Sequence, residues 1–418
     1  MTGTPSPARP TTPGRWRDAA RAAGLLGADG VPRPTIFAEM SALAVRTGAL
    51  NLGQGFPDVD GPESVKRVAA EAIAAGVNQY PPGPGVPELR RAVAAHQARH
   101  YGLAPDPDTE VLITTGATEA LAAAVLALTE PGDEVLTLEP FYDSYAAVIG
   151  LAGARHTTAP LAATPDGFRL DADALRAAVT DRTRVILLNT PHNPTGAVLT
   201  REELAVVAEV AERHDCVVVT DEVYEHLTYD GDAHVPFATL PGAAERTLTI
   251  SSAGKTFSFT GWKIGWVTGP AALVDAVRAV KQFLTYVSGA PFQPAIAHAL
   301  DLETTDSPDA GYVRGLAASL AGRRDLLSAG LTAAGFDVVR PQGTYFVVAD
   351  AAPLGFTDAV DLCRRLPELA GVVGIPVSAF CAAGSPTAEA LGSWVRFTYV
   401  KQESVLERAA EGLTRLRR

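Results

Sequence analysis

One lysine of this chain lies in a setting that suits nucleophilic chemistry. The chain contains five lysines, and four of them lie in helical, polar or Trp-flanked segments that give no further chemical indication: Lys66, Lys263, Lys281 and Lys401. Lys255 instead follows a strand-like run through Ser252, Ala253 and Gly254, small residues that let a ligand approach the backbone. A lysine amine can hold a carbonyl compound covalently as a Schiff base. Lys255 is therefore either the nucleophile of a site or an ordinary surface lysine in a loop.

Further polar groups lie beside strand-like runs. Asp221 ends the run Cys216–Thr220, where it is either a site carboxylate or the N-cap of a helix. The tripeptide Gly116–Thr118 precedes a helix that we predict from Glu119. Its backbone N–H groups either bind a phosphate or form only a turn. These groups make the strand ends the candidate site.

Two other segments contain polar residues whose role the sequence leaves open, and the histidines give no indication of a metal site. Arg396 is the charged residue of the strand-like run Trp394–Tyr399, and it points inward or outward depending on the pleat. The run Asn193–Gly196 on its own indicates a turn. The eight histidines, His192 among them, show no metal-ligand spacing, so we predict no metal site.

An open sheet covered by helices would position these groups. Between Val111 and Gly269, short β-rich runs alternate with helical patterns such as Glu202–His214, which predicts an α/β fold with a parallel sheet. Sheets of this kind bind ligands at the carboxyl ends of their strands. The predicted strands are Val111–Thr115, Glu134–Leu138, Arg184–Asn189, Cys216–Thr220 and Thr247–Ser251.

The remaining chain indicates a second domain, as expected for 418 residues. Ala271–Ala334 has helical patterns, and strands are predicted near Thr344–Ala349, Val372–Ile375 and Trp394–Tyr399. We therefore predict a mobile N-terminal arm at residues 1–30 and a large domain at 50–305. A smaller α+β domain would combine residues 31–49 with 306–418.

Composition limits the classes of function and location. The formal net charge of −12 argues against nucleic acid as a partner and favours small molecules. Three cysteines without CxxC spacing fit neither a disulfide framework nor a zinc site, so we expect a reducing cytoplasm. No run is apolar enough for a signal peptide or a membrane span, so neither export nor membrane insertion is expected.

Several motifs, in order along the chain, carry a family resemblance. The chain from about Thr35 onward resembles class I (fold type I) aminotransferases, most closely the branch of kynurenine aminotransferases and bacterial N-succinyldiaminopimelate aminotransferases. The motifs are Ser251–Ser258, Thr260–Trp266, Asn51–Pro57, Asn78–Pro82 and Asn193–Gly196. The resemblance implies a large domain with a mostly parallel sheet of the seven-stranded type, plus a smaller α+β domain.

The resemblance also implies pyridoxal 5'-phosphate as cofactor, bound as a Schiff base on Lys255. Asp221 would pair with its pyridine nitrogen, Asn193 and Tyr224 would contact its 3-hydroxyl, and Phe141 would stack on its ring, although that Phe alone would suit a core. The implied phosphate contacts are Gly116, Ala117, Thr118, Ser252 and Lys263, with Tyr80 reaching across from the neighbouring subunit of a homodimer. Lys263 stands where aspartate aminotransferases usually carry Arg.

For the substrate, the resemblance implies that Arg396 and Gly53 bind the α-carboxylate and that Asn193 also contributes. Approximate matching puts Ile36, Phe37, Tyr80, Tyr286 and Phe380 in the side-chain pocket. Because none of these is charged, short dicarboxylates should be poor donors.

The implied reaction is transamination between an amino acid and a 2-oxo acid, with 2-oxoglutarate and glutamate as the exchanging pair. The donor expected is N-succinyldiaminopimelate, since Pro34–Phe37 lacks the Trp that the kynurenine branch typically carries. The alternatives are kynurenine, glutamine or methionine as donor, and β-lyase activity on cysteine S-conjugates. A ligand-sensing protein without catalysis is a further alternative, which the presence of Lys255, Asp221 and Arg396 disfavours.

Overall fold

The computed structural model describes residues 14–27, 29–164 and 167–417. Its strands are β1 Leu50–Asn51, β2 Val111–Thr114, β3 Glu134–Glu139, β4 Arg155–Thr164, β5 Gly167–Leu170, β6 Thr183–Asn189, β7 Val217–Asp221, β8 Thr247–Ser252, β9 Gly265–Thr268, β10 Asp337–Val339, β11 Phe346–Asp350, β12 Val372–Val373, β13 Ile375–Pro376 and β14 Trp394–Thr398. Its helices are α1 Trp16–Ala22, α2 Ile36–Thr47, α3 Glu63–Ala74, α4 Pro87–Tyr101, α5 Gly116–Leu128, α6 Asp143–Ala152, α7 Ala172–Ala178, α8 Arg201–Arg213, α9 Ala253–Thr256, α10 Ala271–Lys281, α11 Phe292–Asp301, α12 Tyr312–Ala334, α13 Ala359–Ala370, α14 Pro386–Ala390 and α15 Glu403–Leu413.

The central sheet has the order β2-β9-β8-β7-β6-β3-β4-β5. The pairs from β8 through β7, β6 and β3 to β4 are parallel, whereas β9 runs antiparallel to both β2 and β8. Strand β5 pairs antiparallel with β4 and brings the sheet to eight strands. The predicted α/β fold with a mostly parallel sheet is confirmed.

Side chains alternate between the two faces of this sheet, and both faces are covered. Leu136 of β3 and Ile186 of β6 belong to one buried cluster together with Leu204 of α8. Their sequence neighbours Val135 and Leu187 belong to the cluster on the opposite face, which includes residues of α5. Helices on both faces explain why these strands are continuous apolar runs.

A second, antiparallel sheet has the order β10-β11-β14-β13 and contains residues of the C-terminal part of the chain. Strand β1 pairs parallel with β12, and helix α2 packs against α13, so the segment near residues 36–51 lies with the C-terminal elements. This arrangement agrees with the predicted composition of the smaller unit. The exact domain boundaries stay predictions.

Part of the predicted N-terminal arm is structured. Helix α1 packs against α6, and Arg15 donates a hydrogen bond of 2.8 Å from Nη1 to the Ala152 carbonyl. Residues 1–13 and 28 of the predicted arm lie outside the described residues, and the mobility of the arm stays a prediction. Among the described helices, none combines the length and the hydropathy that crossing a bilayer requires. The cytoplasmic location also stays a prediction.

Candidate active site

A cavity of about 480 Å³ lies where the carboxyl ends of the central strands meet the smaller antiparallel sheet. Side chains from β7, from the turn after β8 and from β14 line it, including Asp221, Lys255 and Arg396. In the sequence, Lys255 lies 34 positions after Asp221, and Arg396 lies 141 positions after Lys255. The fold therefore brings together an amine, a carboxylate and a guanidinium that the sequence keeps apart.

Lys255 lies in the short helix α9, directly after β8. Its Nζ donates a hydrogen bond of 2.6 Å to the hydroxyl of Tyr345, and that hydroxyl donates one of 2.6 Å to the Gly55 carbonyl. Lys263 lines the same cavity, and burial, followed by the charge of Lys255, lowers the pKa of Lys263. Two amines thus share the cavity, and a tyrosine holds one of them in place.

Asp221 is the last residue of β7 and is 5% exposed. Tyr145 donates a hydrogen bond of 2.7 Å to Oδ2, and the Val223 N–H donates one of 3.3 Å to Oδ1. Burial raises the pKa of Asp221 to about 6, and the hydrogen bond from Tyr145 opposes this rise. The segment after Asp221 forms turns rather than a helix, so the N-cap interpretation is wrong.

The first turn of α5 has the features of a candidate anion site. This helix begins at Gly116, three residues before the predicted start, so Ala117 and Thr118 offer the free backbone N–H groups of a helix N-terminus. Lys263 Nζ donates a hydrogen bond of 3.3 Å to Thr118 Oγ1, and Ser252 also lines the cavity. A Cβ on Gly265 would lie 2.7 Å from the Gly116 carbonyl carbon, so only glycine lets β9 approach this turn.

Arg396 is 3% exposed and points into the cavity, so the interpretation as an exposed strand residue is wrong. Its Nη1 donates to Asn193 Oδ1 at 2.9 Å and its Nη2 to the Gly53 carbonyl at 2.7 Å. The guanidinium carbon lies 4.0 Å from the ring centre of Phe346 and 4.5 Å from that of Phe380. Burial lowers the pKa of Arg396 to about 10, so it remains charged near pH 7.

The structure brings most of the predicted residues to the cavity walls: Phe37, Gly116, Ala117, Thr118, Asn193, Asp221, Tyr224, Ser252, Lys255, Lys263 and Arg396. Gly53 and Phe380 contact Arg396 but do not line the cavity. Tyr80 and Tyr286 lie elsewhere, with their ring centres 5.6 Å apart, and Tyr80 is 82% exposed.

The prediction for Phe141 is wrong. Its side chain is 4% exposed and packs edge-on against His156 in the core, whereas the next residue, Tyr142, lines the cavity. The chain turns sharply after β3 ends at Glu139, so the alternation of the strand does not extend to these positions. In the segment after β3, Tyr142 rather than Phe141 is therefore the aromatic side chain that faces the cavity.

Sequence reasoning missed several lining or supporting residues. Tyr345 and Tyr145 contact Lys255 and Asp221 directly but lie 90 and 76 positions away from them. Tyr142, Asp143 and Gln54 also line the cavity. Sequence reasoning also missed that the fold brings one ring nitrogen each of His96, His100 and His226 to within 4.8 Å of one another, at residues that do not line this cavity.

Comparisons with known proteins agree with this geometry. The model of the family "Aminotransferase class I and II" matches residues 47–413. A probable N-succinyldiaminopimelate aminotransferase of Mycobacterium tuberculosis is 58% identical over 384 residues, which cover 91% of this chain and 95% of that protein. The methionine aminotransferase of Escherichia coli is 39% identical over 382 residues, 91% of this chain and 96% of that protein. The solved N-succinyldiaminopimelate aminotransferase from Mycobacterium tuberculosis superimposes with a TM-score of 0.89 at 54% identity, covering 97% of this chain and all of that one.

Proposed function

Because this chain belongs to the class I and II aminotransferase family, we propose that it is a pyridoxal-phosphate-dependent enzyme that transfers the amino group of N-succinyldiaminopimelate to 2-oxoglutarate. The observation that carries the proposal is the meeting of Lys255, Asp221 and Arg396 in one cavity. The 58% identity to a probable N-succinyldiaminopimelate aminotransferase supports the choice of substrate.

The residues of the cavity fit a phosphorylated pyridine aldehyde. Lys255 offers an amine for covalent attachment, and Asp221 offers a buried carboxylate for the ring nitrogen. The first turn of α5, Ser252 and Lys263 offer donors for a phosphate. When bound, pyridoxal phosphate supplies an electron sink that stabilises negative charge at the substrate Cα.

Three side chains would act directly at the reacting atoms. Lys255 would hold the cofactor covalently and, once the substrate amine takes its place, would remove the proton from Cα and return one to the cofactor carbon. Asp221, as a carboxylate, would keep the ring nitrogen protonated. Tyr224, with Asn193, would donate to the 3-hydroxyl oxygen. Tyr345 would hold the Lys255 amine inside the cavity, since their contact is 2.6 Å.

Arg396 would bind the substrate α-carboxylate. Asn193 and Gly53 each accept one of its hydrogen bonds, and Nε has no partner among the described residues. Nε and the remaining Nη hydrogens thus form a fork for a carboxylate. The same contacts fix the plane of the guanidinium before the substrate arrives, which reduces the entropy lost on binding.

The remaining walls suit a long substrate. Within the described part of the chain, the cations that line the cavity are Lys255, Lys263 and Arg396, and each already has a role. A short dicarboxylate would bury its second charge without a partner, which is costly. A succinylated stem can instead lie along Phe37 and Gln54 and keep its distal carboxylate near solvent.

We further propose a homodimer in which Tyr80 of one subunit reaches the phosphate of the other. Tyr80 and Tyr286 form an exposed aromatic pair, and Phe283 nearby in the chain is 88% exposed. Exposed aromatic clusters of this kind are typical of surfaces that bind another protein. A second copy of the chain would cover them.

A donor panel tests the substrate. We expect kcat/KM with 2-oxoglutarate to be highest for N-succinyldiaminopimelate and low for aspartate. Aspartate as the best donor would contradict the pocket argument. Kynurenine or methionine above the succinylated donor would contradict the substrate proposal. Pyruvate and ammonia from a cysteine S-conjugate, without any oxo-acid acceptor, would instead favour a β-lyase.

A further inference from the structure

Three histidines meet between helix α4 and the segment that follows β7. His96 and His100 are four residues apart in α4, so both side chains lie on the same face of the helix. His226 approaches them from the segment after Asp221, and one ring nitrogen from each of the three lies within 4.8 Å of the others. We propose that His96, His100 and His226, which we call the histidine triad, bind a zinc ion.

The spacing of the triad is close to that of zinc ligands. The ring centres are 4.6, 4.8 and 4.9 Å apart, so the three imidazoles form a nearly equilateral group. Tetrahedral zinc with Zn–N bonds of about 2.0–2.1 Å requires ligand nitrogens about 3.3 Å apart. Nε2 of His96 and Nε2 of His226 are 2.7 Å apart, so this pair needs to open by about 0.6 Å, and nitrogens at the 4.8 Å limit of the group need to close by about 1.5 Å. Side-chain rotation can supply such a shift.

The donors have the chemistry that zinc prefers. Three histidines with an open fourth position are a known zinc ligand set, and His100 is the exposed member through which water can reach the ion. Glu303 Oε2 lies 3.5 Å from His100 Nε2, where a carboxylate can orient the ring.

The contacts of the triad within the protein leave room for an ion as a partner. Nε2 of His96 faces Nε2 of His226 at 2.7 Å, a contact in which one imidazole nitrogen meets another. His100 has Glu303 as a neighbour on Nε2, at 3.5 Å. A cation between the three rings would replace the contact between two imidazoles by bonds from each of them to the metal.

Zinc at the triad would join helix α4 to the segment that carries Asp221 and Tyr224. His226 lies two residues after Tyr224 and five after Asp221. A metal bond to His226 would therefore fix this segment to α4. We expect zinc to stabilise the folded protein because it binds ligands that only the folded chain brings together.

Metal analysis of the cofactor-loaded protein tests the proposal. The protein is treated with a chelator, dialysed, given zinc chloride, desalted and analysed for metal. We expect about one zinc per chain and a Tm at least about 2 °C higher with zinc than without it. His100→Ala, which changes the exposed ligand, and His226→Ala should both lose the bound zinc and the rise in Tm. His214→Ala removes a histidine outside the triad and should retain both.

Cobalt gives an independent signature, because tetrahedral Co²⁺ with nitrogen ligands absorbs visible light and octahedral aqueous Co²⁺ hardly does. The wild-type protein should develop this absorption and His100→Ala should not. Zinc well below one equivalent in the wild-type protein would overturn the proposal, as would equal zinc binding by His100→Ala and wild type. Neither outcome bears on the transaminase proposal, because the triad lies outside the cavity.

Discussion

Arg396 is the residue whose replacement gives the most specific prediction. Arg396→Ala removes the proposed fork for the α-carboxylate and leaves the Gly53 carbonyl and Asn193 Oδ1 without their donors. Arg396→Lys keeps a positive charge but cannot form two parallel hydrogen bonds. The two variants thus separate the contribution of charge from that of geometry.

The size of the effect follows from the burial of the pair. Arg396 is 3% exposed, so a carboxylate bound to it is largely removed from water. Truncating one partner of such a pair costs about 2–5 kcal/mol. At about 1.36 kcal/mol per factor of ten, kcat/KM should fall about 30- to 5,000-fold in Arg396→Ala. Arg396→Lys should lie near the smaller value.

The assay compares glutamate with a primary amine that lacks the α-carboxylate. Each is mixed with the cofactor-loaded protein, and the rate of the first half-reaction is followed from the cofactor absorbance. The loss should be large for glutamate and small for the amine. Because the broken contacts to Gly53 and Asn193 can also cost stability, the Tm of both variants serves as a control. An equal loss for both amines would refute the assignment of Arg396.

The remaining predictions concern Asp221 and the subunit interface. Tyr145→Phe removes a hydrogen bond that lowers the pKa of Asp221, so this pKa should rise above about 6. The acid limb of the pH profile of kcat/KM should then move to higher pH by about one unit. A limb that is unchanged, or that moves to lower pH, would show that Asp221 does not determine the acid limb. Asp221→Asn should slow proton abstraction by at least about 100-fold, with a smaller effect on cofactor binding. Near wild-type turnover in this variant would count decisively against the proposed contact of Asp221 with the ring nitrogen. Heterodimers of a Lys255→Ala chain with a Tyr80→Ala chain should regain about one intact site of the two, whereas no recovery of activity would contradict the cross-subunit position of Tyr80.

The sequence was sufficient to predict the sheet and the groups at its strand ends. The apolar runs that contain Val135 and Leu187 are buried on both faces, and this pattern is typical of parallel sheets. The small residues before Lys255 led to the prediction that a ligand can approach this lysine. Lys255 lines the cavity, as this prediction requires. Local patterns were informative because each of these features depends on near neighbours in the chain.

Contacts between distant segments could not be predicted in this way. Tyr345 reaches Lys255 from the turn before β11, and no spacing in the sequence links the two. The orientation of Phe141 and Tyr142 depends on the turn after β3, where strand periodicity has ended. For the histidine triad, the i,i+4 pair in α4 was a visible signal, but the third histidine lies 126 residues after the second.

The attachment of the cofactor to Lys255 is the central claim, and reduction of the cofactor-loaded protein with borohydride followed by peptide mapping tests it most directly. Lys263 provides an internal control because it lines the same cavity. We predict a single phosphopyridoxyl adduct, on the peptide that contains Lys255, and its loss in Lys255→Ala. An adduct on Lys263 or on any other lysine of the wild-type protein would contradict the claim.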